Sequence, residues 1–270
     1  QDAEPIIITD EITAKLKRTQ KAEGDMLYRV FPRKVADKLK AGQRVEAETH
    51  EKVTIFFSDI VHFTDISREL PAEKVCDMLG RLYEAFDDLA TKHEVFKVET
   101  IGDAWMGVTN LENSQMDTHC KRIAEFSVEA VEAASKIQID KEDEAKGFVK
   151  IRVGFHSGSV VSNVIGSLNP RYGLFGDTVN TASRMESNSR PGRIHCSEDA
   201  AVILQEQAPS MPLKQRGKIQ VKGKGLMTTY WVGKGMHGLG HTESGVGDDH
   251  TMVASNTKDD KPKVSFPQIS

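Results

Sequence analysis

An α+β fold, with helices covering one or both faces of a mixed sheet, is predicted by three features of the sequence. Val149, Ile151, Val153 and Phe155 alternate strictly, which is the period of a half-buried strand. Val75, Met78, Leu82, Tyr83, Phe86 and Ala90 instead recur at helical spacing behind Pro71. Strand-like runs at 95–99 and 104–108 lie side by side across Gly102-Asp103, so a hairpin interrupts any regular strand–helix alternation.

Taken in order, residues 1–12 read as a polar lead-in. Glu11 to Gly42 turns helical, with Leu16, Leu27, Val30 and Phe31 as a narrow apolar stripe. Pro32 restarts a helix carrying Val35 and Leu39, and Gly42 stops it. Val53-Thr54-Ile55-Phe56-Phe57 is a short buried strand ending at Ser58-Asp59. A helix over 116–137 turns Ile123, Phe126, Ala130 and Ala134 inward, and 141–147 is a charged loop. Ser157-Gly158 is expected to turn the chain before a further strand at 160–165. Tyr172 to Phe175 is β-like, and Asp177 caps a helix to about Ser189. Arg193 to Cys196 is a strand, Ser197 caps a short helix, and 218–221 and 228–232 close as strands. Trp105, Met78, Met106 and Met185 are expected in the core, and His156 as a satisfied structural histidine. The chain thus divides into a lead-in and helix over 1–47, a main domain over 48–234, and a glycine-rich polar tail over 235–270 that reads as disordered.

Composition narrows the function. Lys and Arg number 36 against 40 Asp and Glu, so no excess of positive charge points to nucleic acid or an anionic membrane. Mean hydropathy is −0.43, and no apolar run reaches the roughly 18 residues a membrane helix needs. Cys76, Cys120 and Cys196 are odd in number and far apart, which fits neither a zinc site nor a disulfide framework and suits a reducing compartment.

Three features carry chemistry. Asp59 ends a strand and Asp103 sits in a hairpin turn; on neighbouring strands both carboxylates emerge at one edge. Paired carboxylates without Cys or His suit hard cations such as Mg²⁺, which serve phosphoryl transfer; each aspartate alone fits a turn cap equally well. Asn180 and Arg184, at i and i+4, share a helix face that could hold a ribose oxygen and a developing phosphorane charge, or simply be solvated. Lys222-Gly223-Lys224-Gly225 offers lysines to a triphosphate, though an exposed β-turn reads the same.

Phe57-Ser58-Asp59-Ile60-Val61-His62-Phe63-Thr64, Lys97-Val98-Glu99-Thr100-Ile101-Gly102-Asp103-Ala104 and Tyr172-Gly173-Leu174-Phe175-Gly176-Asp177-Thr178-Val179-Asn180-Thr181-Ala182-Ser183-Arg184-Met185-Glu186 resemble, in order, the class III nucleotidyl cyclase catalytic domain. Arg152-Val153-Gly154-Phe155-His156-Ser157-Gly158 and Val221-Lys222-Gly223-Lys224-Gly225 extend the resemblance, which covers about 48–234 and lies nearest the receptor-type guanylate cyclases. It implies a ferredoxin-like βαββαβ core with additional strands and helices. It also implies two divalent ions, Mg²⁺ or Mn²⁺, held by Asp59, Asp103 and the Ile60 carbonyl. Asn180 and Arg184 would orient the ribose and stabilise the pentavalent phosphorus. Phe63, Thr64, Arg152 and Lys222 would hold the triphosphate, and Glu99 and Gly173 would read the purine. The active unit of such domains is a dimer, so a homodimer would form two equivalent sites.

The resemblance extends to Leu27-Tyr28-Arg29-Val30-Phe31-Pro32, which is similar to the signalling helix preceding receptor-type cyclase domains. An upstream sensor or receptor region is therefore expected. So is a place on the cytoplasmic side, soluble as given and membrane-anchored in full length. Gly173 stands where receptor guanylate cyclases usually carry Cys, His62 where the phosphate loop usually has Gly, and Trp105 where Tyr is common. The expected activity is GTP to cyclic GMP and pyrophosphate. The rivals are the same chemistry on ATP, a silent cyclase-like dimerisation module, and an unrelated Mg²⁺ phosphohydrolase.

Overall fold

The computed structural model describes residues 27, 28 and 30–233. The expected lead-in and tail, and most of the first helix, lie outside the described residues. β1 (Glu48–Ile60) is longer than the buried run Val53–Phe57 alone predicts, because its polar start also pairs with a neighbour. The other strands are β2 (Phe96–Ile101), β3 (Ala104–Thr109), β4 (Ile151–Ile165), β5 (Arg171–Phe175), β6 (Ile194–Ser197), β7 (Leu213–Val221) and β8 (Gly225–Val232). They form one mixed sheet in the order β2-β3-β1-β4-β6-β8-β7, with β5 paired to the far half of β4. β4 and β6 are parallel; the other pairs are antiparallel. With helix α3 (Ala72–His93) between β1 and β2, and α4 (His119–Ala134) between β3 and β4, the first four strands make the expected ferredoxin-like unit.

One sheet face packs on α3, α4 and α6 (Glu198–Gln207). α3 aims Val75, Met78, Leu82, Phe86 and Ala90 at the sheet, as its spacing predicts. Trp105 is fully buried there, edge-on to Phe56 and Phe86 and stacked on Phe126 at 5.3 Å. Met78 shares this core, Met106 lies in the core of the opposite face, and Met185 is also buried. Ser197 Oγ accepts from the Ala200 amide, so the α6 cap stands where it was expected. His156 is buried with Nδ1 2.6 Å from Ser197 Oγ, a satisfied structural histidine.

The other face carries α5 (Asp177–Ser187) over β1 and β4, with Ala182 in a core of Val53, Ile55, Met106, Val108, Val160 and Leu174. A Cβ on Gly154 would sit 1.9 Å from the Glu186 backbone nitrogen, so only glycine lets α5 lie this close to β4. Gly154→Ala is therefore expected to lift α5 and cost about 3 kcal/mol or more, since backbone cannot yield as a side-chain tip does. Thermal unfolding with activity measured alongside checks this.

Two expectations are corrected. Ser157-Gly158 does not turn the chain: β4 runs unbroken, with Gly158 paired to Val53 and Ser157 to Thr54. The glycine serves close approach instead, since a Cβ there would lie 2.5 Å from Thr178 Oγ1. Asp177 does not cap α5. Gly176, at φ +132°, is the cap, and Asp177 is the first helical residue.

The short helices α1 (Arg33–Lys40) and α2 (Phe63–Glu69) flank β1. Pro32 caps α1. Gly42 at φ +66° ends it, with Gln43 N–H bonded to Lys38 O and Gly42 N–H to Leu39 O. Phe31 and Val35, together with Ala36, are buried and pack with Val164 and Tyr172 of the chain's own β4–β5 arm, while Val30 is exposed.

Candidate active site

Asp59 stands one residue before the end of β1, and Asp103 follows Gly102 (φ +64°) in the β2–β3 turn. Because β1 and β3 are neighbours with Ser58 opposite Trp105, the turn delivers Asp103 to the end of β1. The Ile60 amide donates to Asp103 Oδ2 at 3.2 Å. Burial pushes the Asp103 carboxyl up to about 7, aided by a hydrogen bond to Asp59 and by that residue's charge. Two carboxylates this close repel unless a proton or a cation lies between them. The donors are all hard oxygens, so the pair fits a small divalent ion.

Arg152, opposite Asp59 on β4, donates from Nη2 to Asp59 Oδ2 at 2.6 Å and from Nε to Glu186 Oε1 at 3.0 Å. Burial works against its charge, but Glu186 and Asp59 outweigh this and raise its pKa. The residue expected on the triphosphate thus binds two carboxylates of its own chain here. Tyr83, expected only as a stripe residue of α3, donates from its hydroxyl to Gly102 O at 2.9 Å and so ties α3 to the Asp103 turn. Burial, then the Asp103 and Asp59 charges, push its phenol up to about 12.

Across the same face, α5 presents Asn180 exposed and Arg184 half-buried. Neither side chain makes a hydrogen bond or ion pair among the described residues. Thr178 Oγ1 donates to Ser159 O at 2.6 Å, pinning the start of α5 to β4. Lys222 is exposed in the β7–β8 turn and unpaired among the described residues, while its neighbour Lys224 forms an ion pair with Asp177. Spacing alone did not separate the roles of these two lysines.

His62 adopts a left-handed conformation, φ +59° and ψ 28°, directly before α2. This explains why glycine is the usual residue at that place: the left-handed region costs a side chain about 1 kcal/mol or more, with histidine among the better tolerated. The Asp65 and Ile66 amides both bond His62 O, and the amides of Phe63 and Thr64 precede them at the open end of α2. Glu99, on β2, is half-buried, and Gly173, on β5, lies opposite Asn163. Their strands meet where Phe96 packs edge-on against Tyr172 at 6.1 Å, which brings both positions expected to read the base to one region of one chain.

Among the described residues no group of three or more His, Cys, Asp or Glu side chains could hold a metal ion. No helix there is long and apolar enough to cross a membrane.

Comparison with known proteins accords with this geometry. The adenylate and guanylate cyclase catalytic domain model matches residues 45–234. The receptor-type guanylate cyclase gcy-6 of Caenorhabditis elegans is 45% identical over 228 residues, 83% of this chain and 21% of that protein. The chain therefore spans about a fifth of the length of such relatives. The guanylate cyclase domain of RhGC from Catenaria anguillulae, solved in complex with GTP, superposes with a TM-score of 0.63 at 39% identity, covering 68% of this chain and 97% of that one. A guanylyl cyclase domain of the RhoGC fusion protein from Blastocladiella emersonii, solved as a non-canonical dimer, gives 0.61 at 38%, with 68% and 97% covered. On motif order, strand order and these matches together, the chain belongs to the adenylate and guanylate cyclase catalytic domain family.

Proposed function

We propose that this chain is a guanylate cyclase catalytic domain, converting GTP to 3′,5′-cyclic GMP and pyrophosphate. The observation that carries the reading is the Asp59–Asp103 pair, braced by Arg152 and Ile60 on the sheet face that also bears α5. Two divalent ions, Mg²⁺ or Mn²⁺, held by these carboxylates and the Ile60 carbonyl would offset the triphosphate charge and acidify the ribose 3′-hydroxyl. Two protein carboxylates suffice because substrate phosphates complete the shell of such ions. Phe63 and Thr64 offer amides to the phosphates, and Lys222 a mobile charge. Arg152 holds Asp59 in place, and its charge lies on the side of the metal pair where the triphosphate would sit.

The free amide of Asn180 and guanidinium of Arg184 suit a ribose oxygen and the charge on phosphorus. Their lack of a partner within the described chain fits a site completed by the metal-binding half of a second copy. The relatives are receptor-type proteins, and an upstream sensor delivering its signal to a domain on the cytoplasmic side is part of this reading.

Glu99 assigns the base. Guanine offers N1–H and its 2-amino group on one edge, and a carboxylate accepts both. Adenine presents a lone pair at N1, leaving Glu99 partly unpaired at a cost of about 1–3 kcal/mol, roughly 5–150-fold in selectivity. Incubating the purified chain with Mn²⁺ and GTP or ATP, and resolving the products, is expected to give mainly cyclic GMP. Glu99→Lys, which donates to adenine N1, moves the preference toward ATP. A parent chain making cyclic AMP with equal or better efficiency would overturn the assignment.

A further inference from the structure

The β7–β8 ribbon touches both ends of α5. At the N-terminal end, Lys224 in the ribbon's turn pairs with Asp177, the first helical residue. At the C-terminal end, Arg216 of β7 donates from Nη1 to Asn188 O, just past the last helical residue. The same Nη1 lies 3.3 Å from His195 Nε2 on β6. His195 Nδ1 is 2.7 Å from Met185 O; a carbonyl only accepts, so Nδ1 carries the proton and Nε2 is free to accept from Arg216. His195 is fully buried, and burial, outweighing its bond to Met185 O, lowers its pKa to about 4, which keeps this arrangement neutral.

Met185 O and Asn188 O are thus two of the helix-end carbonyls that need outside donors, and both receive them from the sheet. Inside the same turn, Asn188 donates from N and from Nδ2 to Arg184 O, at 3.1 and 2.8 Å. The donor chain runs from the ribbon to the backbone of Arg184 itself.

Arg216 is not placed there by regular strand geometry. The β7–β8 pairing shifts register between Gln215 and Gly217, so Arg216 sits on a bulge, and Gly217 at φ +107° supplies the backbone that glycine favours. The guanidinium lies over Trp231 of β8 at 4.5 Å, with Arg193 also against that ring at 4.9 Å. The dimensions match as well. The 11 residues of α5 rise about 17 Å, and the stretch from Arg216 to Lys222, where the turn holding Lys224 begins, covers about 20 Å.

We propose that the β7–β8 ribbon is a clamp on α5, with Arg216 and Lys224 as positioning residues that set where Asn180 and Arg184 stand without touching substrate. The proposal rests on the cyclase reading above for its effect on turnover, but not for its effect on α5. Arg216→Met keeps the aliphatic body near Trp231 and removes both donors. It is expected to lower kcat at least tenfold while KM for GTP stays within about threefold and the Mn²⁺ dependence is unchanged. Arg216→Lys, with one donor left for Asn188 O, recovers part of the loss.

Mixing adds a readout that general destabilisation would not move. Arg216→Met should regain activity when mixed with Asp59→Ala chains and not with Arg184→Ala chains, because its defect lies in the same half-site as Arg184. Parental kcat, a pure KM effect, or rescue by Arg184→Ala would each overturn the clamp. Hydrogen–deuterium exchange reads the positioning directly: Arg216→Met frees amides at the last turn of α5, and Lys224→Met at its first. If Arg216→Met fails to fold, Lys224→Met, at the exposed end, decides by the same measurements. A parent chain that makes no cyclic nucleotide would refute the cyclase reading alone. Unchanged exchange over α5 in the variants would refute the clamp alone.

Discussion

Asp103→Asn should be inactive and yet more heat-stable than the parent at pH 8. Both outcomes have one cause. Asp103 is held at about 7 by burial and by Asp59, far above the roughly 3.9 of an unfolded aspartate. Without metal, the folded chain therefore holds a proton between about pH 4 and 7 that the unfolded chain has released. The stability this provides is fully present below about pH 4 and is lost as pH rises through 7. Asparagine keeps the Ile60 N–H bond to its amide oxygen and removes the like-charge repulsion. Thermal unfolding in chelator should show the variant ahead at pH 8 and level with the parent near pH 4. For turnover, the variant loses one carboxylate of the proposed metal pair, and more than about a tenth of parental activity, under 1.4 kcal/mol of barrier, would mean Asp103 does not hold a cation.

Arg184→Ala should lose about 10²- to 10³-fold in kcat, the usual effect of deleting a donor aimed at transition-state charge. Asp59→Ala should be equally inactive. Mixing the two should restore about a quarter of parental activity, since half the dimers are mixed and each holds one good site. In such a dimer one chain supplies intact carboxylates and the other an intact α5. The restored rate should rise with protein concentration until association saturates. Mixed dimers shown to form without regaining activity would place the whole site within one chain.

Much of this was legible in the sequence because it depends on local rules. A strand ending in Asp59 and a Gly102-Asp103 turn fix where two carboxylates emerge, and the i, i+4 spacing fixes that Asn180 and Arg184 share a face. The core position of Met78 follows from helical spacing, and that of Trp105 from being an aromatic in a strand. What was hidden depends on contacts between distant segments. Tyr83 belongs to the apolar stripe of α3 by spacing, and only the fold brings its hydroxyl to Gly102. Arg152 reads as a free cation until β1 and β4 pair and set it beside Asp59. Ser157-Gly158 has the composition of a turn, yet its backbone is claimed by β1 on one side, and the missing Cβ by Thr178 on the other. Arg216 and His195 carry no motif; a bulge and a neutral imidazole take their meaning from the helix end they face.

The continuity of β4 has a consequence for how this domain can change over time. Its even-numbered residues lie on one face. Arg152 meets Asp59, Gly154 admits α5, Gly158 clears Thr178, Val160 enters the smaller core, and Val164 meets Phe31 and its neighbours. These five duties are counted off along a single ruler with a period of two. Losing or gaining one residue anywhere between 153 and 163 inverts every mark on one side of the change relative to the other. A point substitution disturbs one of these marks, whereas a change of length disturbs all those on one side of it. Insertions and deletions are confined to places where the count restarts, such as the 166–170 tip between β4 and β5, where Leu168 is 91% exposed and no register depends on it.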